Sequence, residues 1–259
     1  MATDSLDDLR LKIAQSCRIL ASLGILKGIH GHVSHRIADT EEMLIRCRGD
    51  VEYGVNYTTP DQIRRLSFDG TGSDLGDTYE APRELPIHGE ILRVRPEVNC
   101  VIHGHPPATL LCGIAGIELR PIFGSYDPQA LSIAVEGVPI YPRSVLISRP
   151  ELANGVIAAM GPRDVCLMKG HGITVTGTSV EDATIRAIKV ESLAKVHWEL
   201  AKAGKTAPDI GWEDVEEFAR RPRGMAMPRA TEWLWKFYLK ALEEEGRIPD
   251  DLDLDMRHV

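Results

Sequence analysis

The first 24 residues carry apolar side chains at helical spacing. Positions three or four apart share one face of a helix, and the residues that do so here are Leu6, Leu9, Ile13, Cys17 and Leu20. Ser5 before this run is a suitable N-cap, and Gly24 after it is a suitable stop. The pattern therefore predicts an amphipathic helix between Ser5 and Gly24.

Short apolar runs bounded by turn residues predict the strands. The runs are 42–47, 64–69 with the turn DGTG after it, and 137–148. A further strand starts at Cys100 and ends with His103 and His105, and two strands within 164–177 are joined around KGHG.

Longer periodic segments predict four more helices. The first covers 83–97, where Pro86 is tolerated in the first turn and Pro96 ends the helix. The others cover 150–160, the segment from the Ser179-x-x-Asp182 capping pattern to Gly204, and 231–246. Helices and strands are mixed along the chain, which predicts a layered α/β or α+β class.

The chain has no repeat, low-complexity linker or evident boundary, so its 259 residues are predicted to form a single domain, 1–259. Its C-terminal helix and acidic tail start at about residue 228. A formal net charge of −8 opposes nucleic acid as a partner. No apolar stretch is long enough to cross a membrane, and the acidic N-terminus lacks an export signal, so we expect a cytoplasmic protein.

The cysteines are odd in number and widely spaced, and no Cys-x-x-Cys pair occurs. This pattern favours buried reduced thiols over disulfides or a zinc knuckle. The residues concerned are Cys17, Cys47, Cys100, Cys112 and Cys166.

Three histidines form the strongest chemical pattern. His103 and His105 are two apart at a strand end, where both can reach one ion, and His171 lies between glycines that leave its ring open. Three neutral imidazoles suit zinc or another divalent first-row metal. Glu84 and His88, four apart on one helix face, offer a nearby carboxylate, although a glutamate at a helix N-terminus is also typical of a solvated charge.

In order and spacing, these residues resemble the class II aldolase and adducin superfamily. The matching segments are GIHGHVSHRI, ELPIHGEILRVRPEVNCVIHGHPP and CLMKGHGITVTGTSVEDA, and the resemblance covers about residues 9–200. It implies a three-layer α/β/α domain with a mainly antiparallel central sheet. It also implies a homotetramer with active sites at subunit contacts. In this family His103, His105 and His171 would hold one divalent ion per subunit (Zn, Mn, Fe or Co), and Glu84 beside it would move protons.

Departures from the family pattern indicate the substrate. Sugar-phosphate aldolases of the family usually carry Asn where this chain has His32, and a Ser-Ser pair where it has Pro82-Arg83. A guanidinium suits a planar carboxylate better than a phosphate cradle. The segments RGD…TTPDQIRRLSFDG and RATEWLWKFYL resemble a branch that decarboxylates hydroxylated aromatic or pyridine carboxylates.

The predicted function is therefore a metal-dependent decarboxylase of an ortho-hydroxy aromatic or heteroaromatic (di)carboxylate, such as a dihydroxyphthalate. The alternatives are an aldolase that cleaves a sugar phosphate and a non-catalytic adducin-like interaction module. The residues predicted to bind the aromatic carboxylate are Arg83, His32, Ser34, Arg143 and Tyr126, the last as a candidate proton donor.

The roles of several other residues remain open. His30 and His35 flank the glycine-rich segment and suit either a supporting or a surface role, and His88 suits either ligand orientation or helix packing. Trp233, Trp235 and Tyr238 have the spacing of a helix core, and only the family resemblance suggests that this helix covers a neighbour's site.

Overall fold

The computed structural model describes residues 4–220 and 227–245. The described helices are α1 (Leu6–Ser22), α2 (Leu85–Val94), α3 (Pro107–Ala115), α4 (Pro128–Glu136), α5 (Pro150–Met160), α6 (Val180–Lys202), α7 (Trp212–Ala219) and α8 (Met227–Glu245). The strands are β1 (His32–Arg36), β2 (Glu42–Arg46), β3 (Arg48–Gly49), β4 (Ile63–Ser67), β5 (Tyr79–Glu80), β6 (Cys100–Gly104), β7 (Ile140–Tyr141), β8 (Val165–Met168) and β9 (Gly172–Gly177).

Seven strands form one sheet in the order β4-β2-β1-β6-β9-β8-β7. All neighbours are antiparallel except β7 and β8, which are parallel. Strands β3 and β5 form a separate antiparallel ribbon. Strand β6, which carries His103, is therefore the central strand of the main sheet.

Alternate residues of the strands enter two different cores, because successive side chains of a strand point to opposite faces. On β6, Ile102 packs in the core formed with α1, α3, α4, α6 and α8. Its neighbour Val101 packs in the core formed with α2 and α5. Helices on both faces of a mainly antiparallel sheet confirm the predicted three-layer α/β/α class.

Local sequence signals account for several elements. Ser5 and Asp8 form a reciprocal capping box, in which each side chain accepts a hydrogen bond from the other residue's backbone N–H. Ser179 caps α6 through the N–H of Asp182. Helices α1 and α6 both begin where the sequence predicts.

Other boundaries differ from the predictions. The strand predicted over 137–148 is wrong for most of its length, since only β7 is formed. Pro139 and Pro142 flank β7 and lack the N–H that a longer ladder needs. His105 lies just after β6 rather than within it. Strand β1 and helices α3, α4 and α7 were not predicted.

All five cysteines are buried and free, as predicted. None of the helices within 4–220 and 227–245 is long and apolar enough to cross a membrane. The acidic tail lies outside the described residues.

Candidate metal centre

Four side chains from three separate segments meet at the end of the central strand. Glu84 is the N-cap residue of α2, and His103 is the next-to-last residue of the buried strand β6. His105 follows that strand, and His171 lies in the turn between β8 and β9. One nitrogen or oxygen atom from each lies within 4.8 Å of the others. The structure thus brings together all four residues that the sequence singled out for metal chemistry.

The distances within this cluster are short. Nε2 of His103 lies 3.1 Å from Nε2 of His105 and 3.3 Å from Oε2 of Glu84. Nε2 of His171 lies 3.2 Å from Oε1 of Glu84. Glu84 therefore touches two imidazoles with its two oxygens.

The pairing of β6 with β9 explains why His171 reaches the other ligands. His103 is opposite Thr174 in this antiparallel pair, and Gly104 is opposite Ile173. A Cβ at Gly172 would lie 2.1 Å from the carbonyl oxygen of Gly104, so only glycine allows this approach. The turn that carries His171 is thereby held against the end of β6.

One hydrogen bond fixes the tautomer of His103. Its Nδ1 lies 2.9 Å from the carbonyl oxygen of Ile173. A carbonyl oxygen only accepts, so Nδ1 carries a proton and Nε2 is the nitrogen that faces the cluster. This is the arrangement that a ligating imidazole requires.

Charge within the cluster is set by burial and by the neighbouring groups. Burial and the proximity of His103 and His171 lower the pKa of His105 to about 3, so His105 is neutral at pH 7. Burial favours the neutral acid of Glu84, but the side chains of His103 and His171 and the backbone N–H of Ile147 outweigh it and hold the pKa below its ordinary value. Oε1 of Glu84 accepts from Ile147 N–H at 3.0 Å.

This set of atoms suits a divalent cation. A carboxylate and three imidazole Nε2 or Nδ1 atoms converge on one point, and a positive charge placed among such ligand atoms interacts favourably with the carboxylate and with the nitrogen lone pairs. Three imidazoles and one carboxylate oxygen match the ligands of zinc and other first-row divalent metals. The cluster can therefore hold the metal that the family implies.

A second set of buried polar side chains lies next to the cluster. The ring of His32 stacks on His103 at 5.6 Å between centroids, and its Nδ1 lies 3.3 Å from Nε2 of His88. Nδ1 of His88 lies 2.7 Å from Oγ of Ser34, and this hydroxyl donates in turn to the carbonyl oxygen of Val101 at 3.5 Å. A hydroxyl has a single O–H, so Oγ of Ser34 accepts from His88, which makes Nδ1 of His88 the protonated nitrogen and leaves its Nε2 to accept from His32.

Both of these histidines are neutral. Burial and then His88 lower the pKa of His32, and burial and then His103 lower the pKa of His88 to about 3. The predicted residues His32 and Ser34 thus lie at the cluster, linked through His88. For His88 the structure shows an orienting contact as well as helix packing.

The remaining predicted residues lie nearer the surface. Arg83 is exposed and directly precedes Glu84. Arg143 is exposed, and its neighbour Ser144 donates to the carbonyl of Lys169 at 2.6 Å, close to the turn that carries His171. Tyr126 is 63% exposed and packs edge-on against Phe123. Substrate contacts of these three residues stay predictions.

The histidines of the glycine-rich segment separate into two environments. His30 has its ring centroid 6.0 Å from that of His105, so it borders the cluster. His35 lies, with Val33, on the sheet face opposite the one that carries His32 and Ser34, and it hydrogen-bonds to the backbone of Arg36. Of the C-terminal aromatics, Trp235 and Tyr238 are core residues and Trp233 is 59% exposed.

Comparisons with known proteins agree with this geometry. The family model described as class II aldolase and adducin N-terminal domain matches residues 11–198. The chain is 40% identical over 223 residues to the 3,4-dihydroxyphthalate decarboxylase of Rhodococcus jostii (strain RHA1), covering 84% of this chain and 91% of that protein. It is 43% identical over 208 residues to the protein of the same name from Terrabacter sp. (strain DBF63), covering 80% of this chain and 87% of that protein.

Among solved structures, the fold is similar to that of an aldolase II superfamily protein from Pseudomonas syringae. The TM-score is 0.78 at 18% sequence identity, and the match covers 93% of this chain and 94% of the other. At that identity the likeness concerns the fold alone.

Proposed function

This chain belongs to the class II aldolase and adducin family, and from that premise we propose that it is a metal-dependent carboxy-lyase acting on an ortho-hydroxy aromatic or heteroaromatic carboxylate. The observation that carries the proposal is the buried carboxylate of Glu84 in contact with two of three clustered imidazoles. The relatives named 3,4-dihydroxyphthalate decarboxylase support an aromatic diacid as the substrate.

His103, His105 and His171 would hold one divalent ion, with zinc, manganese, iron or cobalt as the metals to test. When bound, such an ion polarises the hydroxyl and carboxylate oxygens of the substrate and stabilises the anion that remains when carbon dioxide leaves. The protein's own residues must then move the proton and orient the ring.

Glu84 is the proposed proton carrier. Its low pKa makes it a carboxylate at neutral pH, able to accept the proton of the substrate hydroxyl. The resulting acid then protonates the ring carbon that bears the departing carboxylate, which gives a β-oxo acid. The carbon–carbon bond breaks, its electrons return to the ring oxygen, and water supplies the final proton. The net change is the replacement of a carboxylate by hydrogen.

In the proposal, the polar groups around the cluster orient the substrate. The bare Nε2 of His32 accepts a hydrogen bond from a substrate hydroxyl, since its Nδ1 is committed to His88. Arg83 and Arg143 hold a second carboxylate at the rim, because guanidinium groups bind planar carboxylates in a forked geometry. Holding the ring this way lets the departing carboxylate rotate out of the ring plane.

The decisive experiment compares two substrate classes with the metal-loaded protein. We expect carbon dioxide release from 3,4-dihydroxyphthalate, with loss of the carboxylate next to the hydroxyl to give 3,4-dihydroxybenzoate. Ketose phosphates serve as the parallel substrates, with aldehyde release as the readout. Aldehyde formation without any carbon dioxide would contradict the decarboxylase and favour the aldolase. A chain that binds no divalent ion and turns over neither class would favour the interaction module.

The proposal includes a single cytoplasmic domain that assembles as a homotetramer. Exposed apolar side chains on α8, such as Trp233 and Phe237, support a contact between subunits. Light scattering coupled to size exclusion should give about four times the 28.6 kDa chain mass. A fully active monomer would contradict active sites shared between subunits.

A further inference from the structure

A buried glutamate outside the cluster caps the helix that follows His105. Glu191 lies in the middle of α6 and is 3% exposed. Its Oε1 accepts from the backbone N–H of Ala108 at 2.9 Å, and its Oε2 accepts from that of Thr109 at 3.0 Å. One side chain thus binds two consecutive N–H groups at the start of α3.

Helix α3 needs this external cap because its own sequence cannot supply one. The N-cap residue is Pro106, whose side chain has no acceptor, and Pro107 occupies the first helical position. The first N–H groups of a helix have no partner within the helix, and leaving them buried and unpaired is unfavourable. Glu191 replaces the missing N-cap side chain, and its negative charge also suits the positive end of the helix dipole.

The position of His105 depends on the short segment that joins β6 to α3. His105 lies beyond the paired residues of β6, so the sheet ladder does not hold it. On one side its N–H donates to the carbonyl of Ile25 at 3.0 Å. On the other side the chain passes through two prolines into the turn that Glu191 binds. His105 is therefore positioned on one side by its backbone hydrogen bond to Ile25 and on the other side by the Glu191 cap of α3.

From this geometry we propose that Glu191 is a positioning residue for His105, which fixes the third imidazole of the metal centre through the start of α3. The inference rests on the proposed metal centre and adds a residue that does not touch the ion. It predicts that metal affinity depends on the chemistry of the side chain at position 191 as well as on the ligands.

A carboxylate is the group that this role requires. Each of its oxygens accepts one N–H, whereas a glutamine of the same shape would direct its own NH₂ at a backbone donor. Burial also raises the pKa of Glu191 to about 7, so the fold retains an ionisable group where an apolar side chain would be easier to bury. A side chain that only filled space would not need two oxygens at these positions.

The test measures metal binding rather than turnover. Zn²⁺ and Co²⁺ are titrated calorimetrically into the metal-free wild-type protein, Glu191→Gln and Glu191→Asp, and the Co²⁺ forms are compared by visible absorption. Glu199→Gln is the matched control, since Glu199 lies on the same helix but is paired with Lys202 at its exposed end. Changes around metal ligands weaken affinity by roughly 10- to 100-fold, which is the loss we expect for Glu191→Gln.

The accompanying results distinguish positioning from stability alone. We expect an altered Co²⁺ spectrum for Glu191→Gln, intermediate affinity for Glu191→Asp, which can reach only part of the cap, and wild-type behaviour for Glu199→Gln. Wild-type affinity and spectrum in a folded Glu191→Gln protein would overturn the positioning role, even if its melting temperature fell. Should Glu191→Gln not fold, wild-type affinity in Glu191→Asp would overturn it equally. If the wild-type protein itself binds no ion, the metal centre fails and this inference fails with it.

Discussion

Glu84 is the residue whose contacts most directly imply proton transfer. It is buried, it touches His103 and His171, and its Oε1 is held by Ile147 N–H. We predict that Glu84→Gln retains the metal, because three imidazoles remain. Removing the proton carrier should slow decarboxylation by about 10²- to 10⁴-fold, measured as carbon dioxide release under saturating substrate.

The matched control on the same helix is Glu90→Gln. Glu90 is also poorly exposed, but it pairs with Arg93 rather than with the cluster. Its rate should stay close to that of the wild-type protein. An unchanged rate in Glu84→Gln would return Glu84 to the role of a helix-end charge.

His171 is the ligand that joins the β8–β9 turn to the rest of the site. We predict that His171→Ala purifies with much less metal, measured by elemental analysis, because one of three nitrogen ligands is lost. His35→Ala, on the other face of the sheet, should keep the wild-type metal content. Full metal content and full activity in His171→Ala would show that the ligand assignment is wrong.

At the scale of elements, the close approach of β6 and β9 yields a stability prediction. A Cβ at position 172 would lie 2.1 Å from the carbonyl of Gly104 and 2.7 Å from the ring of His105. Gly172→Ala should therefore lower the free energy of unfolding in urea by about 1–3 kcal/mol, as overpacking does, and should also weaken metal binding.

A glycine-to-alanine substitution at position 113 is expected to change the free energy of unfolding in the opposite direction. Gly113 lies inside α3, and an added Cβ there would meet no atom closer than 3.8 Å. Gly113→Ala should raise the free energy of unfolding by roughly 0.5–1 kcal/mol, because alanine loses less conformational freedom in a helix. Equal effects at positions 113 and 172 would contradict the steric explanation.

Elements with strong local signals were predictable from the sequence. Helix α1 has a capping box and a regular apolar face, and α6 has a capping serine, so their starts follow from nearest-neighbour chemistry. That the four clustered residues belong together was also predictable, since their types and order resemble a known family. Their three-dimensional proximity was expected from that resemblance and is shown by the distances in the structure.

Elements that serve the site were harder to predict. Strand β1 pairs with the central strand β6, yet it contains His32 and Ser34, whose polar side chains hide its strand pattern. The predicted strand over 137–148 stops at Tyr141, and the later N–H of Ile147 binds Glu84 instead of a neighbouring strand. The cap of α3 comes from Glu191, and no local pattern connects that residue to Ala108.

For the whole molecule, Glu191 predicts a pH dependence of stability. Burial raises its pKa from 4.5 to about 7, against the opposing effects of the Ala108 and Thr109 N–H groups, Lys195 and the Thr109 hydroxyl. The nearby thiol of Cys112 has its pKa raised to about 12 and stays neutral. A group with a higher pKa in the folded state stabilises it most at low pH, and this stabilisation is lost as pH rises through the folded-state pKa.

The expected result is a difference between two metal-free proteins. Between about pH 4.5 and 7 the free energy of unfolding of the wild type should fall relative to Glu191→Gln by about 3 kcal/mol, from the 1.36 kcal/mol that each pKa unit represents. Other groups titrate in this range in both proteins, so the difference isolates Glu191. The free energy of unfolding is measured with urea at each pH. If its pH dependence were the same in the wild type and in Glu191→Gln, a raised pKa for this carboxyl group would be contradicted.

The order of the site residues along the chain has a consequence for biosynthesis. Glu84, His103 and His105 leave the ribosome well before His171, which is held in place only when β9 has paired with β6. A nascent chain that ends before the β8–β9 turn can offer two imidazoles but not the third. On the proposed ligand assignment, the newly made polypeptide therefore completes its set of three imidazoles late, after most of the family domain has been translated.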